Sequence, residues 1–311
     1  MRRFKTQVIV NPESAQGMTR RRWGHIREAI RHFIKDFGYE FTEKPLHAIE
    51  IARSAIKDGT ELVIGVGGDG TMSEIANGFF DGGTLINPGA RLGILPSGTG
   101  CDLIRSLNIP NRLKEAMEVI TQGPAQAIDV GRVTYRAADG TSQKRYFLNI
   151  ADFGVGGDVV HQVNTRRLER KASSYVRCLV STMIHYKNKR VRIRVDGREL
   201  PRGEYLIGAV ANGRVFGKGM KIAPDARLDD GLFDAVLVKG MKFMEFCRSG
   251  WRLMNGTHIR HSKVDIIRGR RVEADPEDDE PVLLDVDGDQ LGTLPAVFEI
   301  VPRSLPVIGY L

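Results

Sequence analysis

LVIGVGGDGTMSEIAN, residues 62–77, is the stretch that decides the fold. Residues 62–66 are apolar enough for a buried strand, and Gly67-Gly68-Asp69-Gly70 form a predicted turn. Thr71 and Glu74 follow at the spacing of a capping box, which predicts a helix start. A strand, a glycine turn and a helix N-terminus place several backbone N–H groups around one concavity, where the helix dipole adds positive charge. We therefore expect a phosphate site, with glycines required because a Cβ would block close approach and forbid positive φ.

The same stretch also satisfies the pattern G-x-G-x-x-G, at Gly65, Gly67 and Gly70. On its own this pattern is weak evidence for a dinucleotide-binding fold, which also requires an acidic residue about 20 positions later. Residues 84–90 contain none, and Asp81 comes too early. The Gly-Lys-Ser/Thr ending of a Walker A loop is absent as well. The stretch is thus predicted to be a phosphate loop of neither common kind.

The composition is that of a folded, basic protein. Its 311 residues favour two domains, and a hydrophobic content of 41% suffices for real cores. Cys101, Cys178 and Cys247 are far apart, which argues against disulfides or a zinc site and for a reducing compartment. The first apolar run is too short for a signal peptide, and no run could span a membrane, so we expect a cytoplasmic protein. A net charge of +8 fits nucleic acid, an anionic bilayer or polyphosphate equally well.

Strands and helices alternate over the first part of the chain. Strands are predicted at residues 6–10, 39–43, 62–66 and 91–95, each followed by a helix, with Thr19 as the N-cap of the first. A second glycine-rich loop, Pro96-Ser97-Gly98-Thr99-Gly100-Cys101-Asp102, follows the fourth strand. This alternation predicts an α/β domain with a doubly wound parallel sheet over residues 1–126, to which residues 302–311 could return. Both glycine loops would lie at the carboxyl edge, where ligands bind.

From residue 127 the pattern changes to short strand-like runs, which predicts an antiparallel β-sandwich over residues 127–301. Helical segments are predicted within it at residues 171–186 and 242–253. Amphipathic helices more often face a core than a membrane. The first segment has an apolar face, made of Tyr175, Val176, Leu179, Val180, Met183 and Ile184. Basic residues around it leave a role at a membrane surface open: Arg166, Arg167, Arg170, Lys171, Arg177, Lys187 and Lys189.

Several stretches together resemble the diacylglycerol kinase and sphingosine kinase superfamily, in its bacterial lipid kinase branch. Residues 66–71, with Glu74 and Asn77, resemble the family's nucleotide loop, which NAD kinases and phosphofructokinases share. Residues 95–105 look like the lipid kinases' second loop, and residues 212–232 are similar to the bacterial members nearly position by position. Asp287-Gly288-Asp289 looks like the family's late Asp-Gly-Glu. The resemblance spans most of the chain, in the right order.

The resemblance implies ATP-dependent transfer of the γ-phosphate to a lipid hydroxyl at an anionic membrane surface. By matching position, Asp69 would help organise the nucleotide and its Mg²⁺, and Asp289 stands where the family places its catalytic base. A carboxylate there would accept the proton of the hydroxyl as the new bond forms. Asp230, with backbone carbonyls near Arg227 and Leu232, would hold a structural Mg²⁺. The residues implied to line the ATP site are Asn11, Ser14, Thr42, Gly67, Gly68, Asp69, Gly70, Thr71, Met72, Ser73 and Thr99.

Two positions depart from the family pattern. Asp289 replaces the usual Glu and reaches about 1.5 Å less far. Misplacement on that scale can lower a rate about a hundredfold, so either the backbone sits closer, Asp287 shares the work, or activity is weak. Taken alone, residues 286–289 also read as a hairpin turn. Cys101 replaces a usual Asn in the second loop, and a buried thiol is its simplest interpretation.

The leading hypothesis is a lipid kinase acting on a diacylglycerol-like or sphingoid-like substrate, with two alternatives. An NAD kinase-like enzyme explains the first loop but not the Asp229-Asp230-Gly231-Leu232 block. A nucleotide-sensing, membrane-binding module without catalysis is motivated by Asp289. DNA binding explains only the charge, so we expect no nucleic-acid partner. The sequence carries no signal for an oligomeric state.

Overall fold

The computed structural model of the chain describes residues 4–98, 100–165 and 172–311. The chain divides into two compact units, a first one of Met1–Val130 with Pro302–Leu311 and a second one of Gly131–Val301. The strands are β1 Thr6–Val10, β2 Gly38–Phe41, β3 Leu62–Gly67, β4 Phe80–Asp81, β5 Thr84–Leu85, β6 Arg91–Pro96, β7 Ala125–Arg136, β8 Ser142–Phe147, β9 Ile150–Gly154, β10 Lys189–Val195, β11 Arg198–Glu199, β12 Glu204–Ala211, β13 Phe233–Lys239, β14 Val264–Gly269, β15 Arg271–Pro276, β16 Leu283–Val286 and β17 Asp289–Ile308. The helices are α1 Met18–Phe33, α2 His47–Lys57, α3 Asp69–Gly78, α4 Leu103–Ser106, α5 Leu113–Gln122, α6 Val155–Thr165, α7 Ala172–His185, α8 Phe243–Ser249 and α9 Arg252–Asn255, with a 3₁₀ turn at Thr257–Arg260.

The first unit is built on a parallel sheet in the order β2-β1-β3-β6, extended by the end of β17, where Val307 pairs with Leu92. Counted along the chain, the five strands follow the order 2-1-3-4-5, one of the two common doubly wound orders. The predicted α/β fold class is confirmed. All six residues of β3 are buried, since it is a central strand covered on both faces.

The strand order of the first unit reverses at β1, which has β2 on one side and β3 on the other. Ligands of open α/β sheets bind at the carboxyl ends of the strands beside such a reversal. At this edge β3 ends at Gly67 and α3 begins at Asp69, so Gly68 alone separates them. The fold therefore brings the start of α3 directly to the expected ligand position.

The second unit consists mainly of antiparallel strands, and the predicted β-sandwich is confirmed. One core is formed between its strands and contains Phe147 and Phe233, whose rings stack 5.7 Å apart. Another core lies between helices and the strands β9, β12 and β13, and it includes Cys178 and Met183 of α7. The predicted domain boundary after residue 126 falls within β7, the strand in which the two units meet along the chain.

The predicted helices of the second unit need two corrections. The apolar face assigned to α7 is partly wrong, because Val180 and Ile184 are exposed while Cys178 is buried. The side chains of Tyr175 and Val176, and residues 166–171 with their basic side chains, lie outside the described part of the chain. The single helix predicted at residues 242–253 is instead two short ones, α8 and α9. Within the described ranges, no helix has the length and apolar character needed to cross a bilayer.

Candidate active site

Asn11, the first residue after β1, connects the three elements that meet at the strand reversal. Its backbone N–H donates to Val66 O at 2.9 Å, and its Nδ2 donates to Thr71 Oγ1 at 2.9 Å. Its Oδ1 accepts from the N–H of Glu13 at 3.0 Å, which fixes the turn toward α1. Asn11 thus connects β1, β3 and the first turn of α3 through both its backbone and its side-chain amide. Asn11 and Thr71 were both among the residues implied to line the ATP site.

The capping box predicted from Thr71 and Glu74 is wrong. The N-cap of α3 is Gly68, and among the described residues no side chain caps this helix. The Glu74 carboxylate instead accepts the N–H groups of Leu46 at 3.1 Å and Ala48 at 3.3 Å, at the start of the neighbouring helix α2. The first N–H groups of any α-helix lack intrahelical partners, and the dipole makes that end positive. An uncapped start at the ligand edge is suited to bind an anion such as a phosphate.

Asp69 links the two glycine loops. Its carboxylate accepts the N–H of Asp102 at 2.8 Å and of Leu103 at 3.1 Å, at the start of α4. Burial raises the pKa of Asp69, while these two N–H bonds and the Arg105 charge act in the opposite direction. Both oxygens thus contact backbone of the second loop, so the structure places Asp69 as a bridge between loops that are 33 residues apart.

Close packing, and not positive φ, explains Gly98 in the second loop. Gly68 has a φ of −99°, so the expected left-handed conformation is wrong there. A Cβ on Gly98 would lie 2.8 Å from the Gly68 Cα and 3.1 Å from the Cys101 Sγ. Real Cβ atoms essentially never approach another atom more closely than 3.0 Å, so the contact with the Gly68 Cα could not form without movement of the loops. The loops after β3 and β6 therefore pack backbone to backbone.

The remaining residues implied to line the ATP site are spread around the same edge. The Ser14 hydroxyl donates to Asn11 O at 2.8 Å, and the Thr42 N–H donates to Val10 O at 2.9 Å. Gly70 lies in the first turn of α3, and Ser73 is buried in that helix. Met72 is buried too and packs toward β3 beside Gly65, so its side chain belongs to the core. Thr99 lies outside the described residues.

Two hydroxyls that the sequence reasoning did not place in the site are part of its framework. Thr19 was predicted as the N-cap of α1, but that position is held by Gly17. Thr19 is buried, and its Oγ1 lies 2.6 Å from the Ser14 Oγ and 2.5 Å from the Ser97 Oγ. Ser97 also donates its N–H to Gly67 O at 2.9 Å. Ser97 could have been assigned to the site from its place in the second glycine-rich loop. No feature of the sequence indicated that Thr19 belongs to it.

Cys101 has a structural role in the second loop. It is buried with a φ of 51°, a left-handed conformation in which Asn is enriched over other side chains. Burial raises the pKa of the thiol to about 12, and the negative charge of Asp69 adds to this. A thiol with so high a pKa stays protonated and is a poor nucleophile. The interpretation of Cys101 as an unreactive buried thiol agrees with this environment.

Asp287 and Asp289 lie on the hairpin between β16 and β17. Val286 pairs with Asp289, and the two residues between them have φ values of 51° and 88°, as in a type I′ turn. The Asp287 carboxylate accepts the N–H groups of Leu148 at 2.8 Å, Asn149 at 3.0 Å and Ile150 at 3.1 Å. Asp287 therefore holds the hairpin onto the residues before β9, and its oxygens are engaged in that task.

Among the residues implied to hold a structural Mg²⁺, the Asp230 carboxylate lies beside a positively charged side chain. Asp230 Oδ1 accepts the N–H of Leu232 at 3.1 Å, and Asp230 Oδ2 contacts the guanidinium of Arg268. The same guanidinium lies 3.4 Å from an oxygen of Asp234, so Arg268 supplies positive charge there. Arg227 pairs with Asp229 at 3.3 Å. Across the described residues there is no group of three or more acidic, histidine or cysteine side chains that could hold a metal ion.

Comparison with known proteins identifies the family of the chain. Residues 5–133 match the family model of the diacylglycerol kinase catalytic domain, and residues 149–309 match that of the YegS C-terminal NAD kinase beta sandwich-like domain. The chain belongs to the diacylglycerol kinase family. The predicted family and the two-domain fold class are thereby confirmed.

The chain is similar to several known proteins over nearly its whole length. It is 27% identical to a diacylglycerol kinase of Bacillus subtilis (strain 168), over 98% of this chain and 96% of the relative. It is 28% identical to a diacylglycerol kinase of Staphylococcus aureus (strain Newman), over 99% of this chain and 93% of the relative. A crystal structure of a diacylglycerol kinase from Bacillus anthracis str. Sterne has a TM-score of 0.73 at 23% identity, covering 99% of this chain and 98% of that one. That structure shares the fold.

Proposed function

We propose that the chain is an ATP-dependent lipid kinase that transfers the γ-phosphate to a hydroxyl of a diacylglycerol-like or sphingoid-like lipid. The observation that carries the proposal is the bridging by Asn11 and Asp69, which brings the loops after β1, β3 and β6 to one edge at an uncapped helix start. Phosphoryl transfer depends mainly on positioning and charge neutralisation, which such an edge can provide. Membership of the diacylglycerol kinase family supports the same reaction class.

The nucleotide would bind at this edge of the first unit. The first N–H groups of α3 would bind phosphate oxygens, since they form the positive end of the helix. Asn11 and Asp69 would act as positioning residues, because their side chains contact other loops and fix their geometry. Mg²⁺ bound to the phosphates of ATP would supply charge neutralisation.

Asp289 would act as the general base. The lipid hydroxyl loses its proton to the Asp289 carboxylate as its oxygen bonds to the γ-phosphorus. The bond between that phosphorus and the β–γ bridging oxygen breaks, and ADP leaves with the electron pair. In this assignment Asp287 does not share the work of the base, since it is bonded to three backbone N–H groups.

The lipid substrate would be reached at an anionic membrane surface, through α8 and α9. This pair of helices has no buried residue, and Met244, Trp251 and Met254 are 66%, 60% and 57% exposed. The Trp251 indole N–H donates to Arg248 O at 3.0 Å, so its polar atom is satisfied and its apolar ring can enter a bilayer interface. Arg248 and Arg252 flank it, which favours anionic headgroups.

Transfer of radiolabel from γ-labelled ATP tests the kinase assignment. The protein with Mg²⁺ is incubated with diacylglycerol, monoacylglycerol, sphingoid bases, ceramide and phosphatidylglycerol in mixed micelles, with Asp289→Asn as the inactive control. We expect one labelled lipid class. No labelled lipid with any of them would contradict the proposal, and ATP binding with vesicle binding but no transfer would support the catalytically inactive module. Conversion of NAD to NADP would support the NAD kinase-like alternative.

Vesicle sedimentation tests the membrane surface separately. We expect binding to phosphatidylglycerol-containing vesicles, weaker binding to pure phosphatidylcholine, and a loss of binding in Trp251→Ser and Met254→Ser. Met18→Ser is the matched control, because Met18 is also an exposed methionine but lies at the start of α1. The fluorescence of Trp251 should shift to the blue on binding, and Trp23→Phe removes the other tryptophan signal. Equal binding by the control and the α8–α9 variants would contradict this surface.

A further inference from the structure

Two buried carboxyl groups that have no part in the mechanism above face each other beside the Asp289 hairpin. Asp152 on β9 and Asp285 on β16 are directly opposite in the antiparallel ladder. They are 1% and 7% exposed, and directly opposite residues of an antiparallel ladder have Cβ atoms about 4.5–5.5 Å apart, so the two carboxyl groups lie close together. Among the described residues, the Oδ1 atom of each is buried without a hydrogen-bond partner. Like charges directly opposite in a ladder are destabilising, so both groups cannot be ionised without a penalty.

The structure leaves just enough room for the Asp152 carboxyl. A Cβ on Gly156, in the first turn of α6, would lie 2.0 Å from Asp152 Oδ1. Any other residue at this position would push the carboxyl or the helix away. The glycine at position 156 therefore lets the start of α6 lie directly against the Asp152 carboxyl.

Among the described residues, the groups that act on the pair are acidic or neutral. Asp289 and Asp287 act on Asp285 from the hairpin, and the buried Tyr186 hydroxyl lies near Asp152 and Asp158. The effects on Asp152 come from burial and from Asp285, with no cation among them. Burial raises the pKa of Asp152 to about 7, and burial and the acidic neighbours raise that of Asp285 well above its usual range. The pair therefore holds at least one proton at neutral pH.

We propose that Asp152 and Asp285 share a proton and are positioning residues for Asp289. The ladder that contains them continues into the pair Val286–Ala151, and the next residue, Asp287, donates its N–H to Ile150 O at 3.0 Å. When the last proton leaves, the two charges repel and loosen the contact that fixes the turn carrying Asp289. The catalytic consequence rests on the proposed kinase function; the shared proton does not.

Thermal unfolding as a function of pH tests the shared proton without any activity. The folded pKa values are raised above the unfolded ones, so the folded state binds more protons and loses stability as the pH rises from about 4 through neutral. In Asp285→Asn an amide N–H can replace the shared proton at every pH. Between pH 5 and pH 9 we expect the Tm to fall by roughly 5 °C more in the unmodified protein than in this variant. Asp278→Asn, at an exposed acid, should behave like the unmodified protein.

Equal pH dependence of the Tm in Asp285→Asn and the unmodified protein would overturn the shared proton. If Asp285→Asn does not fold, Asp152→Asn provides the same comparison, because it removes the other charge of the pair. Failure of both variants to fold at pH 5, where the unmodified pair is protonated, would also overturn it, since a neutral amide then could not replace the protonated acid.

Amide hydrogen exchange tests the positioning role, again without activity. The N–H groups of Leu148, Asn149 and Ile150 report on the hairpin, because Asp287 accepts all three. We expect their protection to fall about tenfold more between pH 6 and pH 9 in the unmodified protein than in Asp285→Asn. If kinase activity is found, kcat should show the same alkaline decline, absent in the variant, while KM for ATP is unchanged. Equal protection in the two proteins would overturn the positioning role, whether or not a lipid is phosphorylated.

Discussion

The two units hold their candidate residues by different means. In the first unit, polar side chains connect separate elements at one sheet edge: Asn11 bonds to the Thr71 side chain, Thr19 to that of Ser97, and Asp69 accepts backbone N–H groups at the start of α4. In the second unit, the candidate base directly follows one two-residue turn, and the strand before that turn is paired with its antiparallel neighbour β9. Loss of one side chain in the first unit should therefore loosen several loops at once. Loss of one in the second unit should act on Asp289 alone.

Asp289→Asn is expected to have the largest effect. An amide cannot accept the hydroxyl proton, and a general base contributes about 10²–10⁴-fold to a rate. We expect kcat to fall by about that factor with KM for ATP unchanged, because the residues implied to bind ATP belong to the other unit. Steady-state kinetics on the lipid identified in the labelling experiment provide the measurement.

The control for Asp289→Asn is Asp278→Asn, an acid of the same unit at an exposed position. It should leave both kinetic constants unchanged. A fall in kcat of less than tenfold in Asp289→Asn would remove Asp289 from the role of base. A large rise in KM for ATP would contradict the separation of tasks between the two units.

Asp69→Asn should produce the next largest effect, of a different kind. An amide has one acceptor oxygen in place of two, and its NH₂ would face the N–H of Asp102 or Leu103. The two glycine loops would separate, so we expect kcat/KM for ATP to fall about a hundredfold and the free energy of unfolding to fall by about 1–3 kcal/mol. Steady-state kinetics at varied ATP concentration measure kcat/KM, and urea unfolding measures the free energy of unfolding. Asp58→Asn, after α2, is the control, and an equal effect there would contradict the bridging role.

Gly98→Ala tests the backbone contact between the same two loops. The new Cβ would lie 2.8 Å from the Gly68 Cα, so the loops must move apart, which we expect to lower stability by about 1–3 kcal/mol. Gly24→Ala is the matched control, since no atom lies within 4 Å of its added Cβ in α1, and alanine there should stabilise by about 0.5–1 kcal/mol. Urea unfolding distinguishes the two. A stability of Gly98→Ala equal to that of the unmodified protein would show that the loops do not pack as described.

The first unit could be predicted far better from the sequence than the second. Parallel strands place their carboxyl ends at one edge by topology alone, so the strand-loop-helix pattern around Gly67 and the loop of Ser97 sufficed to locate the candidate site. What the pattern did not give were the partners: Glu74 caps α2 and not its own helix, and Thr19 is buried. Both depend on how helices pack, which spacing within one helix does not report.

In the second unit the informative contacts depend on strand register. The sequence 286–289 correctly suggested a hairpin, but nothing in it indicates that Asp285 lies opposite Asp152, which is far away along the chain. Similarly, Asp230 was assigned a cation by resemblance, while the structure gives it the guanidinium of Arg268 from β14. A shift of register by one residue would place all these side chains on the other face. Contacts such as Asp285 with Asp152 and Asp230 with Arg268 can be identified only from the three-dimensional structure of the sheet.

Glu74→Ala should have the smallest effect and is a sensitive test of the contrast between the units. Its carboxylate accepts two N–H groups at the start of α2, so its loss should lower the free energy of unfolding by about 1 kcal/mol. ATP affinity should be unchanged, because the uncapped start of α3 does not depend on it. Glu50→Ala is the control, since Glu50 lies in the first turn of α2, the helix start that Glu74 contacts, and its exposed carboxylate lies 3.2 Å from Lys44 and 4.0 Å from His47. A fall in ATP affinity in Glu74→Ala, without one in Glu50→Ala, would mean that Glu74 serves its own helix, as the capping-box spacing suggested, and that the bonds to α2 are not its main role.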